Sequence, residues 1–143
     1  MTLKLPPLDD AGARIRAVYA LCLLIGSINH LTTFLSCGFS CDFGGVPIFA
    51  RGFWTTLTFL DPAAAVLLFV RPRIGVALTL LIMLTDVGNN TAIWIMSRQG
   101  AIPGIGLDRV ALDPIAYGLQ IAFLIFVLLT LTRAWKHPRA TSP

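Results

Sequence analysis

Four long apolar runs constrain this chain more than any other feature of its sequence. The hydrocarbon core of a bilayer is about 30 Å thick, so a spanning helix needs roughly 20 mostly apolar residues. Four stretches meet that requirement, at about 17–35, 53–70, 74–96 and 115–132. Backbone groups find no water in hydrocarbon, so each run should be helical. The sequence therefore predicts an all-α integral membrane protein, a four-helix bundle in up-down order that forms one domain with short disordered ends, including Asp10 and Gly12.

The low charge content excludes an ordinary soluble domain. Only 13% of the 143 residues are charged, against roughly 25% in an average soluble protein. The net charge of +4 forms no basic stripe, because the basic residues stand at the ends of the apolar runs. We therefore expect the lipid bilayer, and not a nucleic acid, to be the partner of this surface.

The distribution of basic residues predicts the direction of the helices. Eight of the eleven lie before the first run, between the second and third, or after the fourth: Lys4, Arg14, Arg16, Arg71, Arg73, Arg133, Lys136 and Arg139. Arg51, Arg98 and Arg109 lie on the other side. Because Lys and Arg accumulate in cytoplasmic loops, both termini should be cytoplasmic.

Aromatic residues at the ends of the runs suggest the two interfaces of the membrane. Trp and Tyr are enriched where hydrocarbon meets water. Tyr19 and Trp135 are accordingly predicted at the inner boundary, and Trp54, Trp94 and Tyr117 at the outer one.

Two prolines shape the middle of the chain. Arg71-Pro72-Arg73 is the whole break between the second and third runs, which predicts a tight turn. Only eight residues separate Pro62 from Arg71, too few to span a bilayer. Pro62 is therefore predicted to lie inside the second helix and to kink it.

Two acids inside the predicted membrane spans are the main functional signal. A charged side chain near the bilayer centre costs at least about 2.5–3.5 kcal/mol, so intramembrane acids usually mark a functional site. At a rise of about 1.5 Å per residue, Asp61 and Asp86 both fall within ~2 Å of the midplane. We expect them to face each other, and two nearby acids do not both ionise cheaply, so one should hold a proton.

Polar neighbours of these acids define a candidate site. Asp86, Asn89 and Asn90 share one helix face by their spacing of three and four residues. The proposed interior site comprises His30, Asp61, Asp86, Asn89, Asn90 and Gln120, and it should open toward the outer side. The alternative for the amides is structural, because such side chains also join membrane helices by hydrogen bonds worth about 0.6 kcal/mol each.

Cys37 and Cys41 follow the first run closely enough to form a disulfide in an oxidising compartment. Two free thiols, or half of a metal site, are the alternatives. Cys22 is expected to serve in packing. The sequence contains no nucleotide, phosphate or zinc-protease motif, so it identifies neither a cofactor nor a metal ligand set.

The middle of the chain resembles the DoxX-like group of small four-helix bacterial membrane proteins. The matching residues are Leu57, Asp61, Ala63 to Leu68, Arg71-Pro72-Arg73 and Ala77 to Met83. The resemblance implies a multi-pass protein of the bacterial inner membrane, with a polar residue in its second helix.

Several functions are compatible with these residues. The first is binding of a small amphipathic, quinone- or lipid-like molecule in the polar pocket, in a redox accessory role. The second is an enzyme that performs acid–base chemistry on a lipid-like substrate, with Asp61 or Asp86 as the base and His30 as its partner. A proton or cation pathway is disfavoured, because the inner halves of the helices are apolar. The last is an interaction or immunity protein that binds a membrane partner through Asp108, Arg109 and Asp113.

Overall fold

The computed structural model describes residues 10–41, 45–102 and 114–136. Within these ranges the chain forms four α-helices: α1 (Ala11–Cys37), α2 (Ile48–Val70), α3 (Pro72–Arg98) and α4 (Pro114–Trp135). A short 3-10 turn, Gly38–Ser40, follows α1. All four helices are long and apolar enough to cross a membrane. The prediction of an all-α protein with four helices long and apolar enough to span a membrane is confirmed.

Each helix extends beyond the apolar run from which it was predicted. The extension is at both ends of α1, α3 and α4, and only at the first end of α2. The apolar pattern marks the hydrocarbon-crossing part of a helix, whereas capping groups decide where it ends. Asp10 begins α1 because its side chain accepts a hydrogen bond from the Gly12 amide at 3.0 Å. Gly38, with a φ of 58°, ends it. The expectation that Asp10 and Gly12 belong to a disordered end was wrong; the remaining predicted ends lie outside the described residues.

The connection between α2 and α3 is shorter than predicted. Arg71 alone links the helices, and Pro72 is the first residue of α3. Proline is favoured there because the amide at that position has no intrahelical partner to lose. Next to the link, a Cβ added to Gly75 would stand 2.3 Å from the Leu68 backbone nitrogen, so the two backbones are in direct contact. Pro62 lies inside α2, as predicted.

The helices pack around a common core, with α1 and α3 each contacting both α2 and α4. Small and branched apolar residues fill this core, among them Leu23, Leu57, Val76 and Val127. Large apolar side chains on the outer faces are exposed, such as Leu35 and Leu129 at 75% and 77%. An apolar exterior of this kind suggests contact with lipid.

Two of the predicted interface aromatics are buried in the core. Tyr19 is 0% exposed and Trp54 is 5% exposed, so their side chains face the interior of the bundle. Their predicted heights at the membrane boundaries stay predictions. The ring of Tyr19 packs edge-on against Phe123 and Phe126. Position along a helix predicts height in a bilayer, but it does not tell which face of the helix the side chain occupies. Trp94 and Trp135 are exposed.

A set of polar contacts, which we call the terminal cluster (Asp10, Arg16, Tyr19, Thr130 and Ala134), joins the start of α1 to the end of α4. The Arg16 side chain is 1% exposed and donates to the Ala134 carbonyl at 3.0 Å. It also pairs with the Asp10 carboxylate at 3.7 Å. The Tyr19 and Thr130 hydroxyls bond at 2.6 Å. Arg16 therefore satisfies a carbonyl that the end of α4 leaves without an intrahelical partner.

Candidate functional site

Asn90 is the centre of a hydrogen-bond network between α2, α3 and α4. The Trp54 indole N–H donates to Asn90 Oδ1 at 3.0 Å. Asn90 Nδ2 donates to Asp86 Oδ1 at 3.1 Å and to Gln120 Oε1 at 2.8 Å. Because an indole N–H can only donate, it dictates that the Asn90 oxygen faces Trp54 and its amino group faces the other two residues. We call Trp54, Asp86, Asn90 and Gln120 the amide cluster.

Three members of the amide cluster were candidates from the sequence, and the fourth was missed. The structure joins Asp86 and Asn90, which the shared-face argument grouped with Asn89, to Gln120 of α4. Trp54 was assigned to the membrane interface because it stands near the start of an apolar run. The signal that it belongs to the site is chemical, since a buried indole N–H needs an acceptor and α3 supplies amide and carboxylate oxygens at a matching height.

Asp61 is enclosed without a hydrogen-bond partner for one of its oxygens. The side chain is 4% exposed, and its Oδ1 accepts no hydrogen bond within the described chain. Thr58, one turn earlier on α2 and 6% exposed, likewise has an enclosed and unpartnered hydroxyl. Across the interface, a Cβ at Gly26 of α1 would lie 3.7 Å from Asp61 Oδ2. Unpaired buried polar atoms are costly, so this pair is typical of a site that serves a ligand.

The two acids lie close to each other but are offset along the helices. The contacts of Leu68 with Gly75 and of Trp54 with Asn90 set the register between α2 and α3. In that register Asp86 lies near the height of Thr58, three residues or about 4.5 Å along the helix axis from Asp61. The carboxyl groups are near enough to interact electrostatically. No hydrogen bond joins them, and no ion pair links either acid to a basic residue of the described chain.

His30 and Asn89 are not joined to the amide cluster. His30 is half-buried and lies one turn after Gly26 on α1. Among residues 10–41, 45–102 and 114–136, its ring makes neither a hydrogen bond nor an ion pair. Asn89 is half-buried, and its Nδ2 is enclosed without an acceptor. The assignment of these two residues to one site with Asp61 and Asp86 stays a prediction.

A cleft of about 300 Å³ between α3 and α4 borders the amide cluster. Its lining is largely apolar and consists of Asn90, Thr91, Trp94, Ile95, Pro114, Tyr117 and Gly118. The Thr91 and Tyr117 hydroxyls are in hydrogen-bond contact across it. The Trp94 ring, which lines the cleft, also has the Arg98 guanidinium 4.9 Å from its centre. The cleft thus has a polar end at Asn90 and an aromatic residue, Trp94, toward the end of α3.

The two cysteines after α1 are paired in the structure. Cys37 and Cys41 have Cα atoms 5.3 Å apart, a separation within the range that disulfides require. Arg51 of α2 donates to the Cys41 carbonyl at 3.2 Å, so the loop is held against the next helix. Groups of three or more His, Cys, Asp or Glu side chains that could hold a metal ion are absent from the described part of the chain.

The segment that resembles the DoxX-like group lies on α2 and the first half of α3, and Asp61 is its one residue that stands beside the candidate site. The loop residues considered as a partner contact, Asp108, Arg109 and Asp113, lie outside the described residues. The chain matches no protein-family model, no curated protein and no solved structure.

Proposed function

We propose that this protein binds a small amphipathic, quinone- or lipid-like molecule within the membrane, in a redox accessory role. The site comprises Asp61 and the amide cluster, and the cleft between α3 and α4 admits the ligand. Membership of the DoxX-like group and a place in the bacterial inner membrane are part of this proposal. So are up-down order of the spans and cytoplasmic termini, which the distribution of basic residues supports.

The observation that carries the proposal is an apolar cleft that ends on buried polar groups. Ligand sites are concave, mostly apolar and provided with a few converging polar groups that orient the ligand. The cleft has about 300 Å³, at the lower end of the usual volume of such sites. Asn90 forms its polar end and is bonded to Asp86 behind it. The helix ends that flank the cleft are those remote from the two termini, so a cytoplasmic location of the termini places its mouth toward the outer side.

An enzyme that acts on a lipid-like substrate is the second candidate. It is favoured by the unpartnered Oδ1 of Asp61, because a general base needs a free lone pair within reach of the substrate proton. Against it, Asp61 does not line the cleft. Chemical conversion of a bound molecule by the wild-type protein, lost in Asp61→Asn, would favour catalysis over binding alone.

Analysis of copurifying small molecules tests the binding proposal. The protein is purified in nanodiscs, and bound molecules are identified by mass spectrometry for wild type, Gly118→Phe and Gly88→Phe. Both glycines have open space around an added Cβ, but only Gly118 lines the cleft. We expect a discrete molecule in wild type and Gly88→Phe that is absent from Gly118→Phe. Equal recovery from all three proteins would contradict the proposed cleft.

Reporter fusions test the orientation. Alkaline phosphatase is active in the periplasm, so fusions placed after Arg71 or after Lys136 should be inactive, and one placed after Gln99 should be active. The reverse pattern would turn the cleft toward the cytoplasm.

A further inference from the structure

The hydroxyl hydrogens of Thr91 and Tyr117, at the polar end of the cleft, already take part in hydrogen bonds. The Thr91 hydroxyl donates to the Val87 carbonyl at 2.6 Å. A hydroxyl has one hydrogen, so in the contact between Thr91 and Tyr117 the hydrogen comes from Tyr117. The lone pairs of the Tyr117 oxygen remain available. This pair therefore accepts hydrogen bonds from a ligand and donates none without breaking an existing bond.

The hydrogens of the Asn90 side-chain amide, at the same end of the cleft, also take part in existing hydrogen bonds. Asn90 Nδ2 gives its two hydrogens to Asp86 and Gln120. Rotation of the amide by half a turn would place its amino group against the Trp54 indole N–H, a donor facing a donor. The amide is therefore held in one orientation, and it offers no hydrogen to a molecule in the cleft.

Two oxygen atoms in the bundle interior beyond this end of the cleft lack a hydrogen-bond partner. Thr58 Oγ1 and Asp61 Oδ1 are enclosed and have no hydrogen-bond partner among the described residues. Pro62 has no N–H, so it cannot donate to the Thr58 carbonyl as residue 62 of an uninterrupted helix would. Of the two side chains, the Thr58 hydroxyl also carries a hydrogen of its own, whereas Asp61 Oδ1 adds an acceptor.

We infer that the ligand is an amphiphile whose head donates hydrogen bonds: a hydroxyl, as in an alcohol or a quinol, or a primary ammonium. This inference rests on the proposed function and specifies its ligand. At this end of the cleft, a head with a carbonyl or an ether would meet the oxygens of Tyr117 and Asn90 and hydrogens that are already committed, so it would lose its bonds to water without replacement. A quaternary ammonium has no hydrogen to donate to the Tyr117 oxygen. The apolar chain would lie along Ile95, Pro114 and Gly118.

Matched pairs of ligands test the inference by equilibrium titration of the protein in nanodiscs. Dodecanol is compared with dodecyl methyl ether, dodecylamine with dodecyltrimethylammonium, and decylbenzoquinol with decylbenzoquinone. Within each pair the chain is the same, and only the first member donates a hydrogen bond from its head. We expect the donor to bind about tenfold more tightly or better, the ratio that corresponds to one satisfied hydrogen bond in a buried site. Tighter binding of the quinol than of dodecanol and dodecylamine would assign a quinol head; the reverse order would assign a simple hydroxyl or ammonium lipid.

Two variants connect this preference to the cleft. Tyr117→Phe removes an acceptor at the polar end and should weaken dodecanol binding while leaving the ether unchanged. Tyr19→Phe is the matched control, because its hydroxyl lies in the terminal cluster and should alter neither. Gly118→Phe should abolish binding of every donor.

The outcomes separate the inference from the proposed function. The ligand class would be overturned if the ether, the quinone or the quaternary ammonium bound as tightly as its partner and Gly118→Phe abolished that binding. The proposed binding function would then still hold. Absence of any binding sensitive to Gly118→Phe, for all six ligands and in the copurification experiment, would overturn the binding function itself.

Discussion

The protein contains two buried polar regions that differ in the charges they bring together. In the terminal cluster the buried Arg16 faces an acid, Asp10, and donates to the carbonyl end of α4. In the amide cluster and around Asp61, two acids lie near each other without a basic partner in the described chain. The first arrangement brings opposite charges together, whereas the second places two acids together, one of which should hold a proton, and leaves oxygen atoms unpaired.

This difference distinguishes polar groups that stabilise the fold from polar groups that do not and that could instead bind a ligand. Removing one partner of a buried ion pair or charged hydrogen bond is destabilising, because the other partner is left without compensation. Removing a buried charge that has no compensation should cost little and can stabilise the protein. Removal of Arg16 should therefore destabilise the fold, whereas neutralisation of Asp61 should leave stability unchanged or higher and weaken ligand binding.

Arg16→Ala should produce the largest loss of stability. The substitution removes a buried charged donor from the end of α4 and leaves Asp10 without its partner. We expect the free energy of unfolding in detergent, measured by titration with a denaturing surfactant, to fall by about 3 kcal/mol. Arg14→Ala is the control, because Arg14 lies two residues earlier on α1 and its side chain is exposed. Equal effects of the two substitutions would show that the terminal cluster contributes no stability.

Asn90→Ala should have the next largest effect. The substitution removes three side-chain hydrogen bonds, to Trp54, Asp86 and Gln120. At about 0.6 kcal/mol for each bond between membrane helices, unfolding should become easier by about 2 kcal/mol. Asn89→Ala, a change of the same size at a side chain without a partner for its Nδ2, should have a smaller effect. A larger loss of stability for Asn89→Ala than for Asn90→Ala would show that Asn89, and not Asn90, is the centre of the hydrogen-bond network.

Reduction of the Cys37–Cys41 pair should weaken the opposite end of α1 and leave the terminal cluster intact. Closing a five-residue loop contributes about 2 kcal/mol or less by chain entropy. We expect both thiols to resist alkylation in unreduced membranes, and the bond between Tyr19 and Thr130 to be unaffected by reductant. Alkylation of both thiols before reduction would mean that the pair is not oxidised in the membrane.

The sequence predicts these two regions to different extents. Hydropathy and the basic residues give the four spans, and two acids near the midplane indicate a site, because both arguments depend only on height in the bilayer. The partners within the bundle depend on rotation about each helix axis, which a largely apolar surface specifies poorly. For this reason the sequence predicted heights for Arg16, Tyr19 and Trp54 but did not reveal that all three side chains are buried in the bundle.

The cleft could not be predicted from the sequence at all. It depends on the separation of α3 and α4 near Gly118, a residue that no motif distinguishes from the other glycines in the spans. Asp86, Asn90 and Gln120 were predictable because polar residues at one height on adjacent helices tend to meet. His30 fulfils the same condition of height and yet makes no hydrogen bond within the described chain.

Asp61→Asn tests most directly whether Asp61 and Asp86 form a binding site or a structural contact. The same preparation is measured for its free energy of unfolding and for retention of the copurifying molecule, with Asp86→Asn in parallel. Because Asp61 has an unpartnered buried oxygen and no basic partner, its neutralisation should leave stability unchanged or higher, and the bound molecule should be lost. A loss of stability comparable to that of Arg16→Ala, together with full retention of the bound molecule, would show that Asp61 stabilises the bundle and is not part of a site.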